Sequence, residues 1–583
     1  MVKLSRYLKP YWVYVLVAPL FMGLEVYMDL LQPSYMADIV DKGIANGDMN
    51  YVVNKLLIML GIAFIGMLGG LGCCYASSVA ALGFGTDVRS ALFRKIQTFS
   101  FANLDRFQTS SLITRLTNDI TQLQNVVTMS LAMMIRAPLL CIGSIIMTVR
   151  ISPSLASILL VAIPVTIIGT LFIIKKGFPL FRKVQSKIDK VNNVMRENLA
   201  GVRLVKAFVR KDFEEKRFQI ANEDLRDTAI KAGRVMATGM PMLMLVTNLA
   251  TVAVLWLGGI KVQNGTLEIG NLIAFINYLT RIMMSLVMVA FSFVAFSRGK
   301  VSADRIREVL MEEPDLVDPV RTSEDDLKQE PQITHGQVVF ENVTFSYVPE
   351  GEPVLKNISF TARPGETIAI LGETGAGKTS LVSLIPRLYD PQGGRVLIDG
   401  VDVRDYTLYN LRKEIGMVLQ TSLLFSGSIL DNLRWGDPDA DLEKVVKAAS
   451  IAQAHEFIMQ TPNGYKTDLS QGGVNLSGGQ KQRLNIARTL MKKPKILILD
   501  DSTSAVDMAT ELKIQQALRN WRHKSTTFII AQRISSVMDA DKIIVLHQGR
   551  IVGIGTHEEL LASNPLYQDI YQSQIGKETA LNA

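Results

Sequence analysis

The chain contains few residues that form disulfides or bind soft metals: three cysteines and five histidines occur among 583 residues. Cys73, Cys74 and Cys141 all lie inside apolar runs, without CxxC spacing and without a histidine nearby. This pattern argues against a disulfide framework and against a cysteine-based metal site. We interpret the three thiols as small side chains that face lipid or a packed core.

The beginning of the sequence also lacks the pattern of a cleavable signal peptide. A short basic segment with Lys3, Arg6 and Lys9 precedes an apolar run that is much longer than a signal-peptide core. No small-residue cleavage site interrupts that run. We therefore expect an interfacial segment that leads directly into a membrane span.

Charge is sparse and unevenly distributed. Hydrophobic residues make up 48% of the sequence and charged residues 20%, and the long apolar runs lie in the first half of the chain. The net charge of +8 is compatible with nucleic-acid binding in principle. However, the cations cluster in segments that flank the apolar runs, as membrane topology requires. We therefore predict membrane lipid as a partner and no nucleic acid.

Six apolar stretches are long enough to cross a bilayer as α-helices, which takes about 20 residues each. They lie near 12–36, 52–82, 129–149, 154–174, 237–262 and 270–296. The two long polar connections, 83–128 and 175–236, are rich in Lys and Arg, whereas the short connections hold few cations. By the positive-inside rule, both termini and both long connections are cytoplasmic.

The long connections keep a helical pattern of apolar residues and contain few helix breakers. We therefore expect spans 2 to 5 to continue beyond the bilayer as long helices. Bends near 100–109 and 208–213 would form the tips of these helices, directed at a domain encoded by the second half of the chain.

Two carboxylates, Glu25 and Asp29, lie four residues apart on one face of the first predicted span. A carboxylate inside a bilayer requires a wet cavity or a partner. Two interpretations remain open: a substrate cavity that attracts cations, or a position at the headgroups or in a helix-pairing contact. Methionines in the spans would suit a deformable wall for varied apolar ligands, and they are equally consistent with lipid-facing side chains. They are Met133, Met134, Met236, Met240, Met242, Met244, Met283, Met284 and Met288.

The second half of the chain contains the phosphate-binding pattern GETGAGKTS. An apolar run, Thr367–Leu371, precedes it as a predicted strand, and a predicted helix follows it. The glycines let backbone N–H groups face phosphate oxygens, while Lys378 can bridge the outer phosphates and Thr379 can hold Mg²⁺. The predicted nucleotide-binding residues of this loop are Gly372, Thr374, Gly375, Ala376, Gly377, Lys378, Thr379 and Ser380.

Two further motifs follow this loop. The segment Leu476–Gln480 reads LSGGQ, and Lys495–Asp500 is an apolar run that ends in a carboxylate. In this order and spacing, the motifs resemble the ATP-binding cassette of ABC transporters, and six spans before one cassette resemble an exporter half-transporter. The resemblance implies an α-helical six-span transmembrane domain (1–310), a linker (311–337) and an α/β P-loop nucleotide-binding domain (338–583).

The resemblance also assigns roles to residues outside the P-loop. Tyr347 matches the family's aromatic residue that stacks on adenine. Gln420 matches the glutamine that contacts Mg²⁺, and Asp500 matches the strand-end carboxylate that holds Mg²⁺ through water. The implied cofactors are ATP and Mg²⁺, with Thr379, Gln420 and Asp500 at the metal.

In this family, the signature segment binds the γ-phosphate held by the opposite subunit's P-loop. Two cassettes therefore sandwich two nucleotides, and one chain cannot complete a site. The residues expected to act in trans are Leu476, Ser477, Gly478, Gly479 and Gln480, with Ser504 and Asp507 in the D-loop.

Two positions depart from the family pattern. Asp501 stands where the family has the glutamate that polarises the attacking water, and a displacement of about 1 Å can lower a rate by about 10²-fold. Gln532 replaces a histidine, and glutamine cannot carry the positive charge of an imidazolium. Together the two changes predict a site that binds ATP and hydrolyses it poorly.

A weak site beside an intact signature resembles the degenerate-site subunit of a heterodimeric bacterial multidrug exporter. The resemblance implies a second, different ABC half-transporter as partner. It also implies small amphipathic or apolar substrates, and a location in the cytoplasmic membrane with the nucleotide-binding domain on the cytoplasmic side.

Other functions remain open: a lipid or peptide exporter, a homodimeric exporter with slow ATPase, and a regulatory ATP sensor. An importer is disfavoured by the fusion of spans to cassette and by the segment Phe425–Ile429. The sequence also shows no peptidase-like N-terminal domain, which disfavours a processing peptide exporter.

Overall fold

The computed structural model describes residues 4–319, 330–348, 351–522 and 525–581. The chain forms two compact units: Met1–Gln97 with Thr109–Glu312, and Thr98–Gln108 with Glu313–Ala583. The predicted domain boundaries did not place the short segment Thr98–Gln108 with the second unit. The boundaries 1–310, 311–337 and 338–583 stay predictions. Much of the predicted linker, residues 320–329, lies outside the described residues.

Within the described residues, six helical spans are long and apolar enough to cross a membrane. They are span 1, Ser5–Ile44; span 2, Met49–Gln97; span 3, Thr109–Ile151; span 4, Pro153–Ala200; span 5, Lys211–Gln263; and span 6, Ile269–Met311. All six apolar stretches predicted from the sequence are confirmed. Spans 2 to 5 continue well beyond their apolar stretches, because the polar connections carry few breakers and keep the helical hydrogen bonding.

The α-helices up to the end of span 6 are α1 Trp12–Asp38, α2 Met49–Gln97, α3 Phe101–Phe107, α4 Thr109–Thr114, α5 Ile120–Leu131, α6 Met133–Ile151, α7 Pro153–Ala156, α8 Leu159–Ala200, α9 Val202–Ala207, α10 Lys211–Ala237, α11 Gly239–Gln263 and α12 Ile269–Met311. Pro164 and Pro179 lie inside α8, and proline is tolerated in membrane helices where neighbouring groups can satisfy the freed carbonyls. Gly265, with a φ of +67°, makes the turn between spans 5 and 6.

The second unit contains two main sheets. In the six-stranded sheet the order is β12-β11-β3-β10-β9-β6, and all neighbours pair in parallel except the antiparallel edge strand β12. A four-stranded antiparallel sheet has the order β2-β1-β4-β5, and β7 pairs with β8. The strands are β1 Val338–Phe345, β2 Leu355–Ala362, β3 Thr367–Gly372, β4 Gly393–Ile398, β5 Val401–Asp402, β6 Ile415–Val418, β7 Gly427–Ser428, β8 Asp468–Leu469, β9 Ile496–Asp500, β10 Thr526–Ile530, β11 Lys542–His547 and β12 Arg550–Gly555.

Helices of the second unit connect these strands. They are α13 Lys378–Ser383, α14 Leu408–Lys413, α15 Ile429–Arg434, α16 Leu442–Ile451, α17 His455–Met459, α18 Gly478–Met491, α19 Met508–Arg522, α20 His557–Ser563 and α21 Pro565–Leu581. The central strands β3, β9 and β10 are apolar on both faces because helices and the second sheet cover them. Their carboxyl ends meet at one edge, with Asp500 in register with Ile530, and Ile530 with Ile370. In open α/β sheets this edge carries the ligand site.

Candidate functional site

The P-loop leaves β3 at Gly372 and enters α13 at Lys378. Gly375 and Gly377 have φ angles of +87° and +98°, which side-chain-bearing residues rarely adopt. A Cβ on Gly372 would lie 2.2 Å from the carbonyl oxygen of Leu546 on β11, so only glycine fits there. The loop therefore has the backbone that close approach to phosphate requires.

Lys378 folds back over the loop, where its Nζ donates hydrogen bonds to the carbonyls of Gly372 at 2.8 Å and Glu373 at 2.9 Å. Burial lowers the pKa of Lys378, while Asp501 and Asp500 act in the opposite direction. A half-buried ammonium beside a glycine-rich loop is a suitable partner for polyphosphate, because negatively charged phosphate oxygens can replace the neutral carbonyl acceptors.

Asp500 ends β9 and is almost fully buried, and burial raises the pKa of its carboxyl. The Thr379 hydroxyl donates to its Oδ1 at 3.2 Å. Gln420 lines the same cavity of about 380 Å³ as these two residues. Hydroxyl, carboxylate and amide oxygens suit Mg²⁺, which is commonly held by one or two carboxylates together with substrate phosphates. No cluster of three or more His, Cys, Asp or Glu residues suited to a metal occurs in the described ranges.

Asp501 follows in the left-handed region, with a φ of +46°, and its amide donates to the Ile530 carbonyl at 3.0 Å. Its Oδ2 accepts hydrogen bonds from Gln532 Nε2 at 2.7 Å and from Gln420 Nε2 at 3.3 Å. The side chain is only 7% exposed. The two positions that depart from the family pattern therefore contact each other, and the carboxylate is already engaged by two amides.

Tyr347 also lines the cavity, and its ring is 45% exposed. Its hydroxyl lies 2.8 Å from Ser380 Oγ. The ring packs edge-on against Phe345, with centroids 4.9 Å apart, and against Tyr389, at 5.2 Å. This position is compatible with the predicted stacking on adenine, which stays a prediction.

The signature segment lies outside that cavity lining in the described part of the chain. Ser477 caps α18 through a capping box with Gln480 and stays exposed. Gln482, on the same helix, receives a hydrogen bond from the Ala505 amide at 2.9 Å and donates to Ser504 at 3.2 Å. The signature and the D-loop thus form one exposed surface, separate from the chain's own P-loop.

Comparisons with known proteins agree with this geometry. The sequence-family model for the ABC transporter transmembrane region matches residues 15–287. The sequence-family model described as ABC transporter matches residues 355–504. The ABC transporter ATP-binding protein YfiB of Bacillus subtilis (strain 168) is 43% identical, over 99% of both chains. This chain belongs to the ABC transporter family.

Two other relatives of this ABC transporter have functional names. A fatty acid ABC transporter ATP-binding/permease protein of Mycobacterium bovis is 38% identical over 83% of this chain and 74% of its own. A putative multidrug export ATP-binding/permease protein, YgaD of Bacillus subtilis, is 36% identical over 84% and 83%. The structure of a bacterial Atm1-family ABC exporter with ATP bound superposes with a TM-score of 0.78 at 25% identity, covering 97% and 98%.

These matches confirm the predicted fold class: six apolar helices, then an α/β ABC ATPase domain of the exporter type. The family also carries ATP binding, ATP hydrolysis coupled to transport, and a multi-pass location in a membrane. Mg²⁺ is the usual companion of ATP in such domains.

The structure gives Glu25 and Asp29 a partner in span 3. Arg136 Nη1 lies 2.5 Å from a Glu25 carboxylate oxygen, and its Nη2 lies 3.1 Å from one of Asp29. Arg281 in span 6 donates to the backbone carbonyl of Asp29 at 2.7 Å. This geometry supports the helix-pairing interpretation of the two carboxylates.

A cavity of about 560 Å³ lies elsewhere in the first unit, between spans 4, 5 and 6. Met236, Met240 and Met242, three of the methionines considered in the sequence, line it. It meets the size range of small-molecule sites, about 300–1,000 Å³.

Tyr389 is a site-associated residue that the sequence reasoning missed. Its hydroxyl donates to Asp105 of α3 at 2.9 Å, and its ring lies 6.2 Å from that of Phe101. Burial, followed by Asp105, raises the pKa of Tyr389. The ring therefore joins α3 to Tyr347 within the second unit. No local motif indicates this, because α3 and Tyr389 are far apart in sequence.

Proposed function

We propose that this chain is one half of a heterodimeric exporter, with a nucleotide site of its own that binds ATP and hydrolyses it slowly. The observation that carries the proposal is the hydrogen bond between Asp501 and Gln532. A short carboxylate held by two amides is poorly placed to polarise water, and a neutral amide cannot stabilise the charge that develops on the transferred phosphoryl group.

The other residues at this chain's own nucleotide site have separate roles in binding ATP. Lys378 and the P-loop amides would hold the phosphates, Thr379 and Asp500 would hold Mg²⁺, and Tyr347 would orient the base. When bound there, Mg²⁺ would supply positive charge beside the phosphates. With these groups intact, ATP binding is retained while the positioning of water is weakened.

The exposed signature surface supports a partner chain. Ser477 and the amides of Gly478 and Gly479 lie outside the chain's own P-loop cavity, so their phosphate is supplied by another cassette. If two copies of this chain paired, both intact signatures would complete nucleotide sites that contain Asp501 and Gln532. A different partner, with glutamate and histidine at those positions, gives the intact signature a competent site to complete.

An apolar tip on the first unit is also consistent with a second chain. Between α9 and α10, Phe208 is 69% exposed and Val209 is 86% exposed, and Phe213 in the first turn of α10 is 60% exposed. Contiguous exposed apolar side chains can mark a protein–protein contact. In this proposal the tip contacts the second half-transporter, whereas the sequence alone directed it at the domain encoded by this chain's own second half.

The transported compounds are amphipathic or apolar in this proposal. The cavity between spans 4, 5 and 6 has mostly apolar walls, and relatives carry the names fatty acid transporter and multidrug exporter. The excess of Lys and Arg in the long connections supports insertion in a bacterial cytoplasmic membrane with both termini and the cassette in the cytoplasm.

The test is an ATPase assay in nanodiscs on this chain alone and co-expressed with candidate half-transporters of the same organism. We expect activity only in the pair. The matched variants change the partner's catalytic Glu to Gln and, in this chain, Asp501→Asn. Activity that survives Asp501→Asn and is lost with the partner's change supports the proposal. Robust activity of this chain alone, abolished by Asp501→Asn, would establish a homodimeric exporter instead.

A further inference from the structure

The cavity between spans 4, 5 and 6 has two chemically different ends. One end is apolar and includes Met242, Leu243 and Val287. The other carries Arg182 and Arg298. No aspartate or glutamate occurs in the cavity lining of the described chain, so its charge is positive without compensation.

Neither arginine has a carboxylate partner in the described ranges. The Arg182 guanidinium lies over the ring of Phe178, 5.4 Å from its centroid, which orients it and leaves its N–H groups accessible. Arg298 is exposed and forms no ion pair within the described residues. Arg136 provides the contrast in the same unit, because it lies against both Glu25 and Asp29.

Gln185 is the other polar side chain at this end. Its Nε2 donates to Asp189, one turn further along span 4, at 3.2 Å. Asp189 is exposed and does not line the cavity. This carboxylate therefore hydrogen-bonds to the neutral amide, and it forms no ion pair with Arg182 or Arg298.

Along the spans, the two ends of the cavity lie at least about one leaflet thickness apart. Thr166 and Arg182, both lining residues on span 4, are sixteen residues apart, which is about 24 Å at 1.5 Å per residue. On span 6, Val287 and Arg298 are eleven residues apart, or about 16 Å. One leaflet of the hydrocarbon core is about 15 Å thick. In the proposed orientation, the apolar end lies at bilayer depth and the arginines lie at the cytoplasmic interface.

We propose that this cavity binds an anionic amphiphile with a single apolar tail, taken up from the cytoplasmic leaflet, with its head group on Arg182 and Arg298. The inference rests on the proposed export function and narrows its substrate class. Guanidinium groups pair with carboxylates and phosphates in a bidentate geometry, whereas an ammonium head group would be repelled. The flexible methionine wall accepts tails that differ in shape.

The test measures binding to the assembled transporter in phosphatidylcholine nanodiscs. A fluorescent fatty acid is displaced by hexadecanoate, by single-chain lysophosphatidate, by hexadecanol or by hexadecyltrimethylammonium. We expect both anions to bind at least tenfold more tightly than the alcohol, and the cation to bind most weakly. Comparing the two anions distinguishes a carboxylate from a phosphate head group. Among shorter carboxylates, affinity should rise about fourfold per added methylene.

Arg182→Gln and Arg298→Gln should each weaken anion binding about three- to tenfold, since both guanidinium groups remain accessible to solvent. Binding of the alcohol should not change. The matched control is Arg234→Gln, an exposed arginine on span 5 that is not part of the lining. If the alcohol binds as tightly as the anions, or if the two variants match wild type, the inference is overturned.

ATPase activity in the same samples separates this inference from the proposed function. Partner-dependent hydrolysis without selective anion binding would overturn only the substrate class. If an assembly of this chain alone binds anions selectively and its hydrolysis needs Asp501, only the proposed heterodimer would be overturned. The inferred substrate class would stand.

Discussion

Asp500 and Asp501 are adjacent in the sequence at the end of β9, but their carboxylates have different environments. Asp500 accepts a hydrogen bond from a P-loop hydroxyl and is suited to hold Mg²⁺, whereas Asp501 turns into the left-handed region and accepts from two amides. The sequence predicted that both changed positions, Asp501 and Gln532, would weaken hydrolysis. That they contact each other could not be predicted, because the contact depends on the register of β9 with β10.

This contact leads to a prediction for the catalytic position. Asp501→Glu combined with Gln532→His should raise hydrolysis at this chain's own site by about 10- to 100-fold, because it restores both the reach of the carboxylate and a side chain that can carry positive charge. The measurement is ATPase activity of the heterodimer with its partner's catalytic Glu changed to Gln. Gln532→Asn is the control, since it shortens the amide without supplying a side chain that can carry positive charge. An unchanged rate in the double variant would show that the slow step lies elsewhere.

At the scale of elements, helix packing in the membrane depends on charge balance between distant residues. Arg136 bridges to Glu25 and Asp29, and Arg281 reaches the backbone of the same helix. Sequence spacing placed the two carboxylates on one helix face but could not identify their partner. Arg136 lies in the third span, and only packing of spans 1 and 3 brings the groups together.

This packing can be tested by removing the charges singly and together. Arg136→Gln should destabilise the chain by about 3–5 kcal/mol, because it leaves two carboxylates unpaired in a low-dielectric environment. Adding Glu25→Gln and Asp29→Asn should recover most of that loss, since neither of these two positions then carries an unpaired carboxylate. Thermal unfolding in detergent measures both effects. Lys42→Gln, which removes an exposed partner of Asp38, should change stability by less than about 1 kcal/mol and serves as control. A triple variant as unstable as Arg136→Gln would contradict the charge-balance explanation.

At the scale of the whole molecule, one chain holds a P-loop cavity and a signature surface that do not meet in that chain. The proposal of a different partner follows from this separation together with the departures at Asp501 and Gln532. Damage to the P-loop of this chain and damage to its signature surface should therefore lower turnover to different extents.

The asymmetry predicts unequal effects of two substitutions in this chain. Ser477→Arg should abolish heterodimer ATPase, because it blocks the signature that completes the partner's site. Lys378→Ala should lower turnover only several-fold, since the site it damages contributes little hydrolysis. The measurement is kcat of the purified heterodimer, with equal assembly verified by size-exclusion chromatography. Equal losses from the two substitutions would instead indicate two equivalent sites.

The sequence by itself determined six spans, the cassette fold and the P-loop residues, because these depend on local apolar runs and on motifs of contiguous residues. The tertiary structure alone decided the partner of Glu25 and Asp29, the hydrogen bond between Asp501 and Gln532, and the contact of Tyr389 with α3. It also decided which arginines stay unpaired beside the cavity between spans 4, 5 and 6. Each of these depends on residues brought together from separate helices or strands, and a one-dimensional pattern does not contain their distances.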